Sequence, residues 1–232
     1  MGPASRDSSA LSSKGYPVVL IPFNQLFSRY HIKTDGVLHL GANTGQEVEA
    51  YVALGIKRVI WVEALPDVCA QLAKNVMKYP GHVALLGCLS DRDGDQVDFN
   101  RASNGSQSSS FLEFGTHAKK YPGTVFIEKI RMFTSRVDTL LIRHGVEIGQ
   151  GWFLNLDSQG SELLVLKGMG QLLKQFNWAY IEVNQEELYV GCPMVGEIDD
   201  FLKKFGFVGV ETKMMKEGWG DKLYRRAYDS AT

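Results

Sequence analysis

Val37 to Glu47 reads VLHLGANTGQE, and a second apolar run ending in a carboxylate, RVIWVE, spans Arg58 to Glu63. A strand, a glycine turn, a helix and a second strand, in that order, outline a nucleoside pocket. Gly41 and Gly45 flank a turn in which a side chain would obstruct the ligand or the helix, and glycine accepts such close approach without strain. Glu63 lies roughly 20 residues beyond the turn, where a carboxylate can accept hydrogen bonds from two ribose hydroxyls. The spacing is G-x-x-x-G rather than G-x-G-x-x-G, so no cradle for a pyrophosphate is evident and an adenosyl ligand without phosphates is expected. A glycine turn that merely starts a helix is the alternative reading.

Outward from this unit the chain alternates strands and helices. A short helix at Phe23 to Tyr30 precedes the first strand, Val37 to Leu40. Helices are predicted over Thr44 to Leu54 and Pro66 to Val76, with Pro66 suited to a first helical position, around a strand at Arg58 to Val62. Strands follow at Val83 to Leu86, Gln96 to Asn100 after the DRDG turn, and Val125 to Phe133. A helix at Arg136 to His144, a strand at Trp152 to Leu156, a helix at Ser161 to Leu173 and a strand at Trp178 to Val183 continue the pattern, which implies parallel pairing with both faces covered. After a helix at Ile198 to Phe205, Phe207 to Glu211 and Lys222 to Tyr228 can close the sheet as an antiparallel hairpin.

A chain of 232 residues with 44% hydrophobic content fits one large α/β domain. The opening fifteen residues, MGPASRDSSALSSKG, read as a disordered leader or cloning remnant, leaving 16–232 as the domain. They lack the apolar core of a signal peptide, and no apolar stretch approaches the length that spans a bilayer. The net charge of −1 carries no bias toward a polyanion, although Lys213, Lys216, Lys222, Arg225 and Arg226 could make a local basic edge. Nucleic acid and membrane are therefore not the expected partners. Three widely spaced cysteines, Cys69, Cys88 and Cys192, fit reduced thiols of a cytoplasmic protein better than disulfides or a zinc site.

Arg101 to Gly123 is long for a connection, and its Ser108, Ser109, Ser110, Phe111, Phe114, His117 and Tyr121 are more than a solvated linker needs. Read as a lid, its hydroxyls could bind the ligand's carboxylate or a polyol while its aromatics exclude water. His117 there could accept a proton, since an ordinary imidazole titrates near pH 6.5. In an open parallel sheet ligands collect beyond the carboxyl ends of strands, which makes Asp157 and Glu182 candidates. Asp157 could equally cap a helix, and Glu182 needs a partner if buried. Tyr16, Phe23 and Trp219 could join the lid in forming an acceptor pocket. No metal motif is present, although Asp157 and Glu182 together could hold a Mg²⁺.

HLGANTGQE (His39 to Glu47), VEALP (Val62 to Pro66), SSSFLEFG (Ser108 to Gly115), LNLDSQGSELLVLKG (Leu154 to Gly168), IEVNQEELY (Ile181 to Tyr189) and GWGDKLYRR (Gly218 to Arg226) together resemble the FkbM family of S-adenosylmethionine-dependent methyltransferases, within the class I Rossmann-like group. The resemblance covers roughly Gly36 to Tyr228. It implies a seven-stranded, mostly parallel sheet whose last strand inserts antiparallel, with helices on both faces. It also implies S-adenosylmethionine as cofactor, with S-adenosylhomocysteine as product. Gly41, Ala42, Asn43 and Gly45 would surround the methionine part of the cofactor, Glu63 with Ala64 beside it the ribose, and Ser90 and Asp91 the adenine. Ser109 would reach the cofactor from the lid, and Asp157 and Glu182 would lie near the transferred methyl and the acceptor. His39, also counted at the cofactor, stands where class I methyltransferases more commonly carry an acidic residue. The expected reaction is methyl transfer to a hydroxyl of a sugar or natural product with help from a general base, drawn from Asp157, Glu182 and His117. Competing readings are a dinucleotide oxidoreductase, against which the glycine spacing speaks, and a non-catalytic cofactor-binding module of a larger assembly.

Overall fold

The computed structural model describes residues 19–227. In chain order the elements are α1 (Phe23–Arg29), β1 (Gly36–Leu40), α2 (Val48–Ala53), β2 (Arg58–Glu63), α3 (Pro66–Val76), β3 (His82–Leu86), β4 (Cys88–Leu89), β5 (Gln96–Ala102), α4 (His117–Lys120), β6 (Phe126–Ser135) and α5 (Val137–Arg143). Then come β7 (Trp152–Leu156), α6 (Glu162–Met169), which runs into a 3₁₀ turn at Gly170–Gln175, β8 (Phe176–Asn184), α7 (Val195–Lys203), β9 (Phe207–Met214) and β10 (Trp219–Arg226).

Seven strands form one sheet in the order β3-β2-β1-β7-β8-β10-β9. The pairings from β3 across to β8 are parallel, and β10 lies antiparallel to both β8 and β9. The chain winds outward from β1 to β3 and then returns to place β7 on the other side of β1. Strand order therefore reverses between β1 and β7, and a crevice opens beyond their carboxyl ends. The expected sheet with its antiparallel closing strand is the one observed.

β1 and β7 are buried along their whole length, which explains sequences that are apolar but for His39 and Asn155. Leu38, Leu40, Ile60, Leu154, Leu156 and Ile181 pack on one side with α5, α6 and α7 residues such as Leu140, Leu166 and Ile198. Val37, Val59, Trp61, Phe153, Tyr180 and Leu223 pack on the other with Leu26, Tyr51 and Leu72 of α1, α2 and α3. Full burial of each such side chain contributes about 1.5–3 kcal/mol. On this second face the strands' alternation continues toward the crevice as His39, Glu63, Asn155, Glu182 and Asp221. The same sheet face is thus apolar below and polar above, and the site sits at that change.

Three expectations change. The first helix after the glycine turn starts at Val48 rather than Thr44, because Asn43 (φ 45°) and Gly45 (φ 80°) hold left-handed backbone that no helix continues through. β5 and β6 do not join the parallel sheet; they pair antiparallel with each other, and β6 pairs with the short β4. The Arg101 to Gly123 segment begins inside β5 and contains α4. The leader, Tyr16 and Tyr228 lie outside the described residues. No helix among the described residues is long and apolar enough to cross a membrane.

Candidate active site

The crevice holds a cavity of about 230 Å³. Its base is the Gly41-Ala42-Asn43 turn, which the strand order brings against the chain leaving β7: a Cβ on Gly41 would lie 1.6 Å from the Asp157 carbonyl oxygen. Gly41 (φ 81°) is therefore required by the close approach of two backbones, and Gly45 by the packing of Leu72 and Val48 behind it. Of the two obstructions expected at these glycines, ligand or helix, Gly45 answers to the helices, and it does not line the cavity.

At one end, Glu63 is 8% exposed, and its two carboxylate oxygens each accept one backbone N–H, from Asn43 and Leu65, both at 2.9 Å. Burial raises its pKa while those N–H donors oppose the rise. Each oxygen keeps a lone pair for a further donor. Ala64, Gly87, Cys88, Leu89, Phe99 and Phe111 continue this end as an apolar slot. Ser90 and Asp91, the residues expected near adenine, lie outside the lining, because the chain after Gly87 enters β4 and Ser90 N–H bonds to Ser135 O at 3.0 Å. Gly87 to Leu89 occupy that place instead.

The other end is acidic. The Gln159 amide donates to Asp157 Oδ1 and to Glu182 Oε2, both at 2.6 Å, and its oxygen accepts from the Tyr189 hydroxyl, also at 2.6 Å. Gln159 has φ 53°, a conformation that side-chain-bearing residues adopt at a cost and that the surrounding bonds maintain here. Burial, reinforced by Asp157, raises the Glu182 pKa. Glu162 accepts from Ser158 N and Gly160 N at 3.0 Å, and its buried Oε2 has no partner; burial pushes it up to about 7. Asp221 accepts from Tyr180 Oη at 2.7 Å and Leu20 N at 2.9 Å and is pushed up to about 6 by burial. Oxygens of Asp157, Glu162 and Glu182 lie within 4.8 Å of one another, an arrangement that could hold a cation, although the Gln159 amide already bridges two of them.

His39 is buried between the Tyr51 hydroxyl (3.3 Å) and the Asn155 amide (3.2 Å). Burial lowers it to about 3 and raises the neighbouring Glu47 to about 8, so their 3.9 Å contact joins two neutral groups at pH 7 and is not an ion pair.

The lid covers the cavity with uncharged groups: Asn104, Ser106, Gln107, Ser108, Ser109, Thr124 and Tyr121, together with Tyr189 and Trp219. Arg101 ties it down through Asp67 (2.6 Å) and Glu128 (2.7 Å), and the Asn43 amide reaches Gly105 O at 3.3 Å. His117 differs from the solvent-accessible base expected of a loop histidine. It is buried, stacked on Phe114 at 4.1 Å, paired with Ser108 Oγ at 3.2 Å, and burial lowers it to about 4. Phe23 is likewise absent from the site, packed in the aromatic core against Tyr51 and Tyr180. Reading the sequence missed Gln159, Asp221 and Glu47. The DSQG turn after β7 was a usable signal for Gln159, whereas Asp221 is placed by pairing with Glu182 across two strands distant in sequence.

Among the described residues no lysine or arginine lines the cavity, and α2 is only six residues long and begins beyond the turn. A pyrophosphate would meet buried carboxylates with neither a basic side chain nor a helix start to receive it. A cofactor carrying an adenosine and a positive centre fits the same residues. Sheet order and site together define a class I, Rossmann-like S-adenosylmethionine-dependent methyltransferase. The Methyltransferase FkbM domain matches residues 39–208, and the chain belongs to that family. It is 28% identical over 181 residues to the 2-O-methyltransferase NoeI of Sinorhizobium fredii (strain NBRC 101917 / NGR234), covering 74% of this chain and 72% of that protein. Among solved structures it is similar to a SAM-dependent methyltransferase from Aquifex aeolicus (10% identity, TM-score 0.46, 88% of this chain and 89% of that one). The CcbJ methyltransferase from Streptomyces caelestis is a second (12%, TM-score 0.47, 87% and 93%).

Proposed function

We propose that the chain transfers a methyl group from S-adenosylmethionine to a hydroxyl oxygen of an uncharged, hydroxyl-rich small molecule or glycan, a sugar or a natural product. The observation that carries this reading is the lid's composition. Amides, hydroxyls and the aromatic groups Phe111, Tyr121, Tyr189 and Trp219 face the cavity there, with no charged side chain among them. Such a surface suits a polyol and offers no cationic side chain to a phosphate or carboxylate of an acceptor. The NoeI relative is a 2-O-methyltransferase, which agrees with oxygen as the acceptor atom.

The cofactor supplies an already activated methyl. Glu63 would take the ribose diol, the slot from Gly87 to Leu89 the adenine, and the Gly41 to Asn43 turn with Asp157 the amino-acid end. The protein's remaining task is to align the acceptor oxygen with the methyl and to accept its proton. Asp157 and Glu182, held side by side by Gln159, are the groups proposed for the proton; His117 orients Ser108 and the lid. A metal is not required by this scheme. The three cysteines are free and buried, in keeping with a reducing compartment such as the cytoplasm.

Incubation of the protein with isotope-labelled S-adenosylmethionine and a panel of neutral sugars, sugar acids, sugar phosphates and extracts of its source tests the reading. Label should enter a neutral hydroxylated product as an ether. Label confined to nitrogen, or to phosphorylated acceptors, would overturn it.

A further inference from the structure

The carboxylates at the methionine end outnumber anything that balances them. Asp157, Glu162 and Glu182 cluster within 4.8 Å, Asp221 pairs with Glu182 across adjacent strands, and Glu47 lines the same cavity from the turn before α2. Oε2 of fully buried Glu162 is left without a partner. The groups facing them are neutral: His39 and His117 are held unprotonated by burial, and burial raises the hydroxyls of Tyr180 and Tyr189. Lys213 is the basic side chain whose charge reaches Asp221, and its ammonium is bonded to Leu20 O at 2.9 Å, outside the cavity lining. Several like charges in a desolvated space cannot all ionise unless a cation enters.

We propose, resting on the methyltransferase reading, that this end of the cavity discriminates by charge. It binds the cationic sulfonium cofactor in preference to the neutral thioether product, and the Gln159-bridged pair of Asp157 and Glu182 takes up a proton as the positive charge is lost. In the reaction a lone pair of the acceptor oxygen forms the new C–O bond. The C–S bond breaks and its electron pair returns to sulfur, leaving a neutral thioether. The hydroxyl proton passes to a carboxylate oxygen of the pair. One positive charge on sulfur is thereby exchanged for one proton on carboxylate, and the net charge of cluster and ligand together stays the same through the step.

The sign with pH follows. Burial pushes Asp221 up to about 6, Glu162 to about 7 and Glu47 to about 8. At pH 6 the cluster holds protons that an entering cation must displace, and at pH 8 it holds fewer. Affinity for the sulfonium therefore rises over this range, by up to about tenfold per pH unit for each proton displaced, while the thioether lacks the charge that would displace them. Product inhibition should fall as pH rises.

Titration calorimetry on the full chain at pH 6, 7 and 8, in two buffers of different ionisation enthalpy, tests this with three probes. These are S-adenosylmethionine, S-adenosylhomocysteine, and an adenosyl analogue bearing a protonated amine in place of the methylsulfonium. All three share the adenosine and the amino-acid group, so differences between them report the central charge. The two cationic probes should release about one more proton than the thioether. The ratio of thioether Kd to sulfonium Kd should grow at least about tenfold from pH 6 to 8, and Glu182→Gln should flatten that growth. Equal proton release with a ratio constant to within about twofold would overturn the inference while leaving the methyltransferase reading intact. Failure of all three probes to bind would overturn both.

Discussion

Glu63→Gln isolates the contribution of one carboxylate at nearly constant shape. In the protein each oxygen of Glu63 accepts a backbone N–H, from Asn43 and from Leu65, both at 2.9 Å. An amide has one oxygen and one NH₂, so whichever way it turns, one of those N–H groups faces another donor. Leaving a buried donor unsatisfied costs about 1–3 kcal/mol of folding stability. The bond that the carboxylate would make to a ribose hydroxyl is charge-assisted, and its loss should weaken cofactor binding by about 1.5–3 kcal/mol, or about 10- to 150-fold in Kd. Calorimetry with S-adenosylhomocysteine gives the affinity without turnover, and urea unfolding with and without ligand gives the stability. A stability loss with an unchanged Kd would show that Glu63 only ties the Asn43 turn to Leu65, and the nucleoside assignment of this end would fail. Unchanged values of both would refute the geometry itself.

Gly41→Ala should fail to fold or lose more than about 4 kcal/mol, because its Cβ would fall 1.6 Å from the Asp157 carbonyl oxygen at φ 81°; circular dichroism and chemical denaturation check it. Glu182→Gln should slow turnover of an identified acceptor at least about tenfold while retaining S-adenosylhomocysteine binding. His117 is held neutral to about pH 4, so His117→Asn should leave the pH dependence of kcat in shape, and disappearance of an ionisation near 6.5 in that variant would contradict its burial. The raised folded-state values of Asp221 (about 6), Glu162 (about 7) and Glu47 (about 8) contribute stability that is fully present below their unfolded values near 4 and is lost as pH rises through 6 to 8. Without cofactor the melting temperature should therefore fall from pH 5.5 to 8.5, and a flat or rising profile would count against the buried cluster.

Much of the fold is legible locally. The spans of α3 and β7 coincide with their sequence signals, since Pro66 sets a helix start and the short, largely apolar run WFLNL suits a strand buried on both faces. The antiparallel hairpin at the end, and Glu63 as a strand-end carboxylate on the cavity, follow from the same kind of evidence. The helix after the glycine turn starts later than periodicity predicts because left-handed Asn43 and Gly45 consume residues that periodicity alone assigns to it.

The amino-acid sequence by itself determined the alternation of strands and helices, the glycine turn, the carboxylate that ends β2 and the one inside β8, because these depend on neighbours within a few residues. Only the tertiary structure decided that β5 and β6 form a sheet of their own, that Gly87 to Leu89 rather than Ser90 and Asp91 line the slot, and that Gln159 bridges Asp157 and Glu182. It likewise decided that Asp221 stands opposite Glu182 and that His117 is buried. The physical reason is that a titratable group's character is set by desolvation and by charges brought to it from distant parts of the chain, and neither is written in its local sequence.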